Sequence, residues 1–319
     1  MKTNKMKAVV YRKNKRPEQL EITLVNVPQP KENEVVVKVK AVSLNAADYR
    51  SMSMGMIPKH KIFGSDVAGI VSETGSKVTR FKVGDAVMGE LSNFGFGGLA
   101  EFVCAPDKAF IPKPAILSWE EAASIPMAAG TALQGLRNKG GIKKGHEVLI
   151  VGSSGGVGSF AIQLAKHFGA HVTAVCSTVN IAQSQLLGAK QVIDYTKEKV
   201  FGRDRKYDII LGINGSYSFS AYKKSLKPGG VCVIIGGSVK QIFSSLLLGW
   251  AWSLGSSKIV TLSGKHNTKD LEMLAELMAE GTLKAVISQR HPLHNAPQAM
   301  FELKQGHTSG KVVITVDEE

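Results

Sequence analysis

The sequence predicts an α/β protein in which a doubly wound, parallel-sheet domain interrupts a β-rich one. Three observations carry this. Residues 1–124 read as short Val- and Ile-rich segments punctuated by Gly and Pro. Residues 147–236 alternate short apolar strands with helices, the pattern of a parallel sheet covered on both faces. A glycine-dense turn, residues 152–158, joins the first strand of that alternation to its first helix. A chain of 319 residues accommodates two domains of ordinary size. The expected division gives residues 1–124 and 258–319 to the β-rich domain and 125–257 to the insertion.

The elements follow in order. Residues 7–11, 34–42, 67–73, 85–88 and 100–105 are the expected strands of the first part, separated at Pro28, Pro30, Gly64, Gly75, Gly84 and Gly97-Gly98. Helical periodicity is scarce until Ser118, where Ser-Trp-Glu-Glu121 offers an N-cap and a capping-box acid. Residues 147–151 form a strand and 155–168 a helix, with Val157, Phe160, Ala161, Leu164, Ala165 and Phe168 at helical spacing and Gly169 as its stop. A strand at 171–176 leads to a helix at 180–187 that Gly188 ends. Strands at 192–195 and 207–213, a helix at 219–226 stopped by Lys-Pro-Gly-Gly, and a strand at 231–236 complete the alternation. Past Lys258 come a strand, helices at 268–280 and 296–304, and a closing strand at 311–316.

Composition narrows the function classes. The formal charge of +14 raises nucleic acid, anionic membrane and phosphate-bearing ligands as partners. The basic residues are spread, with only short clusters such as Lys143-Lys144 and Lys223-Lys224, and no arginine-rich arm or recognition-helix signature stands out. Cys104, Cys176 and Cys232 sit far apart in core-strand contexts and are odd in number, so buried reduced thiols are expected rather than disulfides. The basic start, residues 1–16, lacks the apolar core of a secretory signal, and the expected location is cytoplasmic. The longest apolar run, residues 242–254 with Leu246-Leu-Leu and Trp250-Ala-Trp252, is shorter than the roughly 20 residues of a spanning helix. It reads as a buried helix at a homodimer interface, with a substrate lid or a membrane-surface contact as the alternatives.

The strongest local signal is Val148-Leu-Ile-Val-Gly-Ser-Ser-Gly-Gly-Val-Gly158. Gly152, Ser153, Ser154, Gly155, Gly156, Val157 and Gly158 form a turn whose backbone can approach a pyrophosphate closely, and the following helix presents its N-terminal amides to it. The reading is dinucleotide binding. A methyltransferase shares this architecture, so the turn alone does not establish redox chemistry. The end of the second strand selects the cofactor. NAD enzymes place Asp or Glu there for the ribose hydroxyls, whereas here no acid lies between His171 and Gln185. Ser177, Thr178 and Asn180 are instead candidates to bind a 2′-phosphate, which favours NADP(H). Thr178 or Asn180 as a cap of the next helix is an alternative compatible with it.

Several ordered motifs together resemble the medium-chain dehydrogenase/reductase superfamily, most closely its zinc-free, zeta-crystallin-like quinone oxidoreductase branch. They are Leu44-Asn-Ala-Ala-Asp48, Gly64-Ser-Asp-Val-Ala-Gly69, Val83-Gly-Asp-Ala-Val87, Gly98-Leu-Ala-Glu-Phe102, Ala129-Gly-Thr-Ala132, Val192-Ile-Asp-Tyr195 and Gly306-His-Thr-Ser-Gly-Lys311. The resemblance implies a GroES-like catalytic domain and a Rossmann domain. It also implies cofactor contacts at Thr131, Tyr195, Ile235, Gly236 and His307, with Asn214 near a cofactor-facing position. Val179 stands where relatives often carry Arg or Lys for the 2′-phosphate.

Zinc members of the superfamily carry a Cys ahead of the first Asp, and a Gly-His-Glu further on. The matching positions here are Asn45 and Gly64-Ser65-Asp66, and no zinc is expected. Reduction without a Lewis acid suits a quinone or an α,β-unsaturated carbonyl, whose developing charge delocalises. Asn45, Tyr49 and Arg50 are the candidate catalytic groups, while Asp48 and Asp66 are expected to order the local backbone. Two rival functions stand beside the reductase: a non-catalytic, redox-sensing or RNA-associated dinucleotide-binding protein, and an alcohol dehydrogenase-like enzyme.

Overall fold

The computed structural model describes residues 5–12, 20–58, 60–202, 205–214, 217–236, 256–306 and 308–316. These belong to two compact units, Met1–Met127 with His266–Glu319, and Ala128–Lys265. His307 and the apolar run at 242–254 lie outside the described residues.

The first unit is built on a mixed sheet. Its strands, with β1 (Lys5–Tyr11) and β2 (Leu20–Asn26) paired separately, include β3 (Glu34–Leu44), β4 (Asp66–Thr74), β5 (Ala86–Glu90), β6 (Phe102–Pro106) and β7 (Phe110–Pro112). Near the chain's end β14 (Ile287–Pro292) and β15 (Lys311–Thr315) join in the order β14-β15-β3-β4-β5-β7, and β6 pairs with β3. Strand β3 is the centre: it meets β4, β6 and β15 in antiparallel register, and Val35, Val36, Val37, Val39, Ala41 and Val42 are all buried. Its far end passes into helix α1 (Ala46–Ser53). Helix α2 (Trp119–Ser124) starts as its sequence requires. Ser118 Oγ accepts the Glu121 N–H at 3.1 Å, and the Glu121 carboxylate accepts the Ser118 N–H at 2.9 Å.

The second unit is a six-stranded, wholly parallel sheet. Strands β8 (Glu147–Val151), β9 (His171–Cys176), β10 (Gln191–Asp194), β11 (Tyr207–Gly212), β12 (Leu226–Ile234) and β13 (Lys258–Thr261) stand in the order β10-β9-β8-β11-β12-β13. The order reverses at β8, so the crevice beyond β8 and β11 is the topological switch point where such sheets bind ligands. Helices α4 (Gly156–His167), α5 (Ile181–Leu186) and α6 (Phe219–Lys224) are the crossovers, and α3 (Pro126–Leu133) leads into the unit. Cys104, Cys176 and Cys232 are buried and unbridged.

Two expectations are corrected. The division does not fall at residues 124/125 and 257/258. Strand β13 pairs along β12 from Val231↔Lys258 to Ile234↔Thr261, so the parallel unit continues to Lys265. At the other boundary Met127 stays with the first unit, where its N–H donates to the Asp66 carboxylate at 3.1 Å. Strand β12 also begins at Leu226 rather than 231, because a register shift lets Lys-Pro-Gly-Gly bulge within the strand instead of preceding it.

Candidate active site

The glycine turn lies where the sequence puts it, between β8 and α4. Gly152 has φ +87°, and a Cβ there would lie 2.9 Å from the Asn214 N. At Gly158 a Cβ would stand 2.3 Å from the Gly152 carbonyl oxygen, so only glycine lets the helix start against its own turn. Gly155 is different: a Cβ built there meets nothing within 4 Å. That open face lies over the first turn of α4, whose N-terminal amides have no intrahelical acceptor. Ser154, Gly155, Gly156 and Val157 are part-exposed around it. The combination fits a diphosphate: open space at Gly155 beside the positive end of a 12-residue helix.

Ser153 departs from the expectation. Its side chain is fully buried, its Oγ donates to the Val175 carbonyl at 3.1 Å, and its N–H donates to the same oxygen. It fastens the turn to β9 and turns no hydroxyl toward a ligand. Across the switch point the chain after β11 returns to β8, with the Asn214 N–H donating to Val151 O at 3.2 Å and its side chain exposed. Ile235 and Gly236, at the end of β12, both donate to Gly212 O. Thr131 is part-exposed on α3, one turn before Gly135, whose Cβ position is 3.1 Å from Ile235 Cδ1.

At the ends of β9 and β10 the structure gathers Ser177, Thr178, Asn180 and Tyr195, and adds a residue that sequence reasoning missed. Asp194 pairs in register with Cys176, which brings an acid beside the corner that contains none in its own segment. Its Oδ2 accepts from the Thr178 hydroxyl, and its Oδ1 accepts from the Thr196 hydroxyl at 2.6 Å and the Thr196 N–H at 3.0 Å. The Thr178 hydrogen bond, then those of Thr196, hold the Asp194 carboxyl below its ordinary range. Thr178 therefore spends its one proton on Asp194. Asn180 caps nothing with its side chain; its Nδ2 donates to Ser177 Oγ at 3.1 Å, which leaves the Ser177 proton for a ligand. Tyr195 and Val179 are exposed. The clue was present in the Val192-Ile-Asp-Tyr195 motif, but only the strand pairing reveals it.

The first unit assembles Asn45, Tyr49 and Arg50 at the start of α1. Tyr49 and Arg50 are half-buried, with the guanidinium carbon 5.9 Å from the ring centroid. Asn45 is committed elsewhere. It is 8% exposed, and its Nδ2 donates to Asp66 Oδ2 at 2.9 Å, Ser43 O at 3.2 Å and Ser65 Oγ at 3.3 Å. Its Oδ1 accepts from Lys311 Nζ at 2.6 Å. The Asn45 amide is thus engaged at both ends, while Tyr49 and Arg50 stay half-buried at the start of α1. Asp48 and Asp66 order backbone, accepting the N–H groups of Asn45 at 2.8 Å and Met127 at 3.1 Å. Asn45 bonds to both Ser65 and Asp66, and an amide and a hydroxyl are poor zinc donors. Among the described residues, no three His, Cys, Asp or Glu side chains are grouped to hold a metal. Phe94 and Phe96 line a cavity of about 290 Å³ with Met6, Val25, Ile62 and Cys104.

Known proteins resemble this chain along most of its length. Residues 31–115 match the alcohol dehydrogenase GroES-like domain, and residues 187–314 match the family described as zinc-binding dehydrogenase. A chloroplast envelope quinone oxidoreductase homolog of Arabidopsis thaliana is 37% identical, across 92% of this chain and 93% of its own. A 2-methylene-furan-3-one reductase of Solanum lycopersicum is 35% identical, across 91% of this chain and 74% of its own. The quinone oxidoreductase of Coxiella burnetii superposes with a TM-score of 0.89 at 31% identity, covering 98% of this chain and 100% of that one. The chain belongs to the medium-chain dehydrogenase/reductase superfamily, among its quinone oxidoreductase homologues, and its two units are the GroES-like and Rossmann-like domains of that family. It is an oxidoreductase, and its cofactor class is a nicotinamide dinucleotide.

Proposed function

We propose that this protein is an NADPH-dependent reductase of quinones or α,β-unsaturated carbonyls that works without zinc. The observation that carries the reading is the open glycine turn at the switch point, Gly152 to Gly158, over the N-terminal amides of α4. Those amides would hold the diphosphate, with Ser177, Asn180 and Tyr195 on the adenosine side. A bound reduced nicotinamide supplies a hydride.

The residues of the first unit favour a conjugated acceptor. Where zinc relatives place ligands, this chain has an amide, a hydroxyl and a carboxylate already satisfied by each other and by Lys311. An isolated ketone would develop a localised alkoxide with no strong Lewis acid to meet it. A quinone or enone spreads the charge over a phenolate or enolate, which one cation and one hydroxyl can stabilise. Arg50 provides the cation and Tyr49 the hydroxyl and a ring wall. The similarity to a quinone oxidoreductase homolog and to a furanone reductase supports both acceptor classes.

The test is NADPH and NADH oxidation by the purified chain with 1,4-benzoquinone, menadione and trans-2-hexenal, before and after chelation. Turnover that favours NADPH and survives chelation is expected. Tight dinucleotide binding with no turnover on any acceptor would support a non-catalytic binding protein, and activity lost on chelation would support a metal alcohol dehydrogenase-like enzyme. Tyr49→Phe and Arg50→Ala should each lower kcat/KM by roughly tenfold or more. Unchanged values in both remove these residues from the reaction.

A further inference from the structure

Lys311 opens β15 with its side chain 3% exposed, and it belongs to the first unit, whereas the glycine turn belongs to the second. Its position follows from register. Val312 pairs with Leu44 on β3, Ser43 pairs with Asp66 on β4, and Asp66 pairs with Glu90 on β5. The residue before Val312 therefore lies beside the one after Leu44. Gly310 makes that approach possible, since its φ is +111° and a Cβ there would stand 2.3 Å from the Val286 carbonyl oxygen.

The ammonium donates to Asn45 Oδ1 at 2.6 Å and to Leu44 O at 3.4 Å, and lies 3.9 Å from Asp66 Oδ2. Asp66 in turn accepts from Asn45 Nδ2 at 2.9 Å, so ammonium, amide and carboxylate close a ring. Burying such a pair is costly, and an apolar side chain of similar length is often as stable or more so. What the ring supplies is direction. With both ends of its amide held, Asn45 has one orientation, and Asn45 begins the turn into α1. Three residues on, Asp48 accepts the Asn45 N–H, and Tyr49 and Arg50 follow immediately.

We propose that Lys311 is a positioning residue for acceptor reduction: its ammonium, bridging Asn45 and Asp66, fixes the turn that carries Tyr49 and Arg50. This rests on the acceptor role given to Tyr49 and Arg50 above. The titratable groups facing the ring are Asp66 from β4, Asp48 from α1 and Glu90 from β5, and Glu90 itself faces His266 Nδ1 at 3.8 Å. Burial raises both aspartates and Lys311 lowers them. Removing the ammonium therefore moves their titration further toward alkaline pH.

The full chain, Lys311→Met and Asp66→Asn are compared for NADPH affinity, for reduction of 1,4-benzoquinone, and for Tm as a function of pH. In Lys311→Met the expected result is a tenfold to hundredfold loss of kcat/KM for the quinone, on the order of what misplaced reacting groups cost. NADPH affinity stays unchanged, and the midpoint of the Tm–pH profile moves alkaline. Wild-type kcat/KM in Lys311→Met, or an equal loss of NADPH affinity, overturns the proposal. Should Lys311→Met fail to fold, Asp66→Asn decides: it keeps the hydrogen-bond acceptor and removes the charge, so the same selective loss supports the ring and normal turnover sinks it. A wild-type chain that binds NADPH but reduces no quinone or enone removes the functional reading instead. In that case an unmoved Tm–pH midpoint in Lys311→Met still overturns the ring.

Discussion

Asp48 shows how a single buried group couples this fold to pH. Its Oδ2 accepts the Asn45 N–H at 2.8 Å, and the Gly64 backbone N–H also favours its ionised form. Burial pushes its carboxyl up to about 7, against the lowering effect of those N–H groups and of Lys311. The folded chain then holds a proton that the unfolded chain releases near pH 4. The associated stability is fully present below about pH 4 and is lost as pH rises through about 7. Asp48→Asn should flatten the decline of Tm from about pH 5 to about pH 8; a slope equal to wild type would contradict this. Asp194 makes a second residue-scale prediction. It stays ionised in the corner where a 2′-phosphate would sit. Asp194→Asn removes that negative charge and should improve NADPH affinity relative to NADH, as paired titrations of the two nucleotides would show. A ratio that is unchanged or moves toward NADH would place the 2′-phosphate elsewhere.

Among the elements, α4 and its glycine turn leave little room for change. Gly158→Ala forces a Cβ against the Gly152 carbonyl. It should cost about 1–3 kcal/mol in denaturant melts and weaken dinucleotide binding by displacing the first helical turn. Ser118→Ala, which removes one bond of the α2 capping box, should cost about 1 kcal/mol and leave nucleotide affinity unchanged. Both elements were legible in the sequence, because each is defined by local chemistry: glycines between an apolar strand and helix, and Ser with Glu three residues on. Helix α1 was not. Its sequence, AADYRSMS, has no continuous apolar stripe, and its start depends on Asp48 and on Asn45, whose amide is held by residues far away in sequence. Strand β14, ISQRHP, is polar and sits at the sheet edge, paired among the described residues only with β15. The same distinction separates the site residues. The phosphate turn could be read from consecutive residues, whereas strand pairing brings Asp194 to Thr178 across 16 positions and Lys311 to Asn45 across 266.

At the scale of the whole molecule, the parallel sheet interrupts the chain of the β-rich unit, so the β14 and β15 strands that complete the first unit are made after the second. A dinucleotide that binds only the folded second unit should stabilise it by about 2.7 kcal/mol at a concentration one hundred times Kd. If the two units melt separately, calorimetric scans should show that gain in one transition alone. The central claim is that the amides at the mouth of β8 bind a pyridine dinucleotide. Isothermal titration of the intact chain with NADPH and with NADH tests it most directly. Saturable binding of one nucleotide per chain, tighter for NADPH and weakened in Gly158→Ala, is the predicted result. Absence of binding by both nucleotides to the folded protein would contradict it.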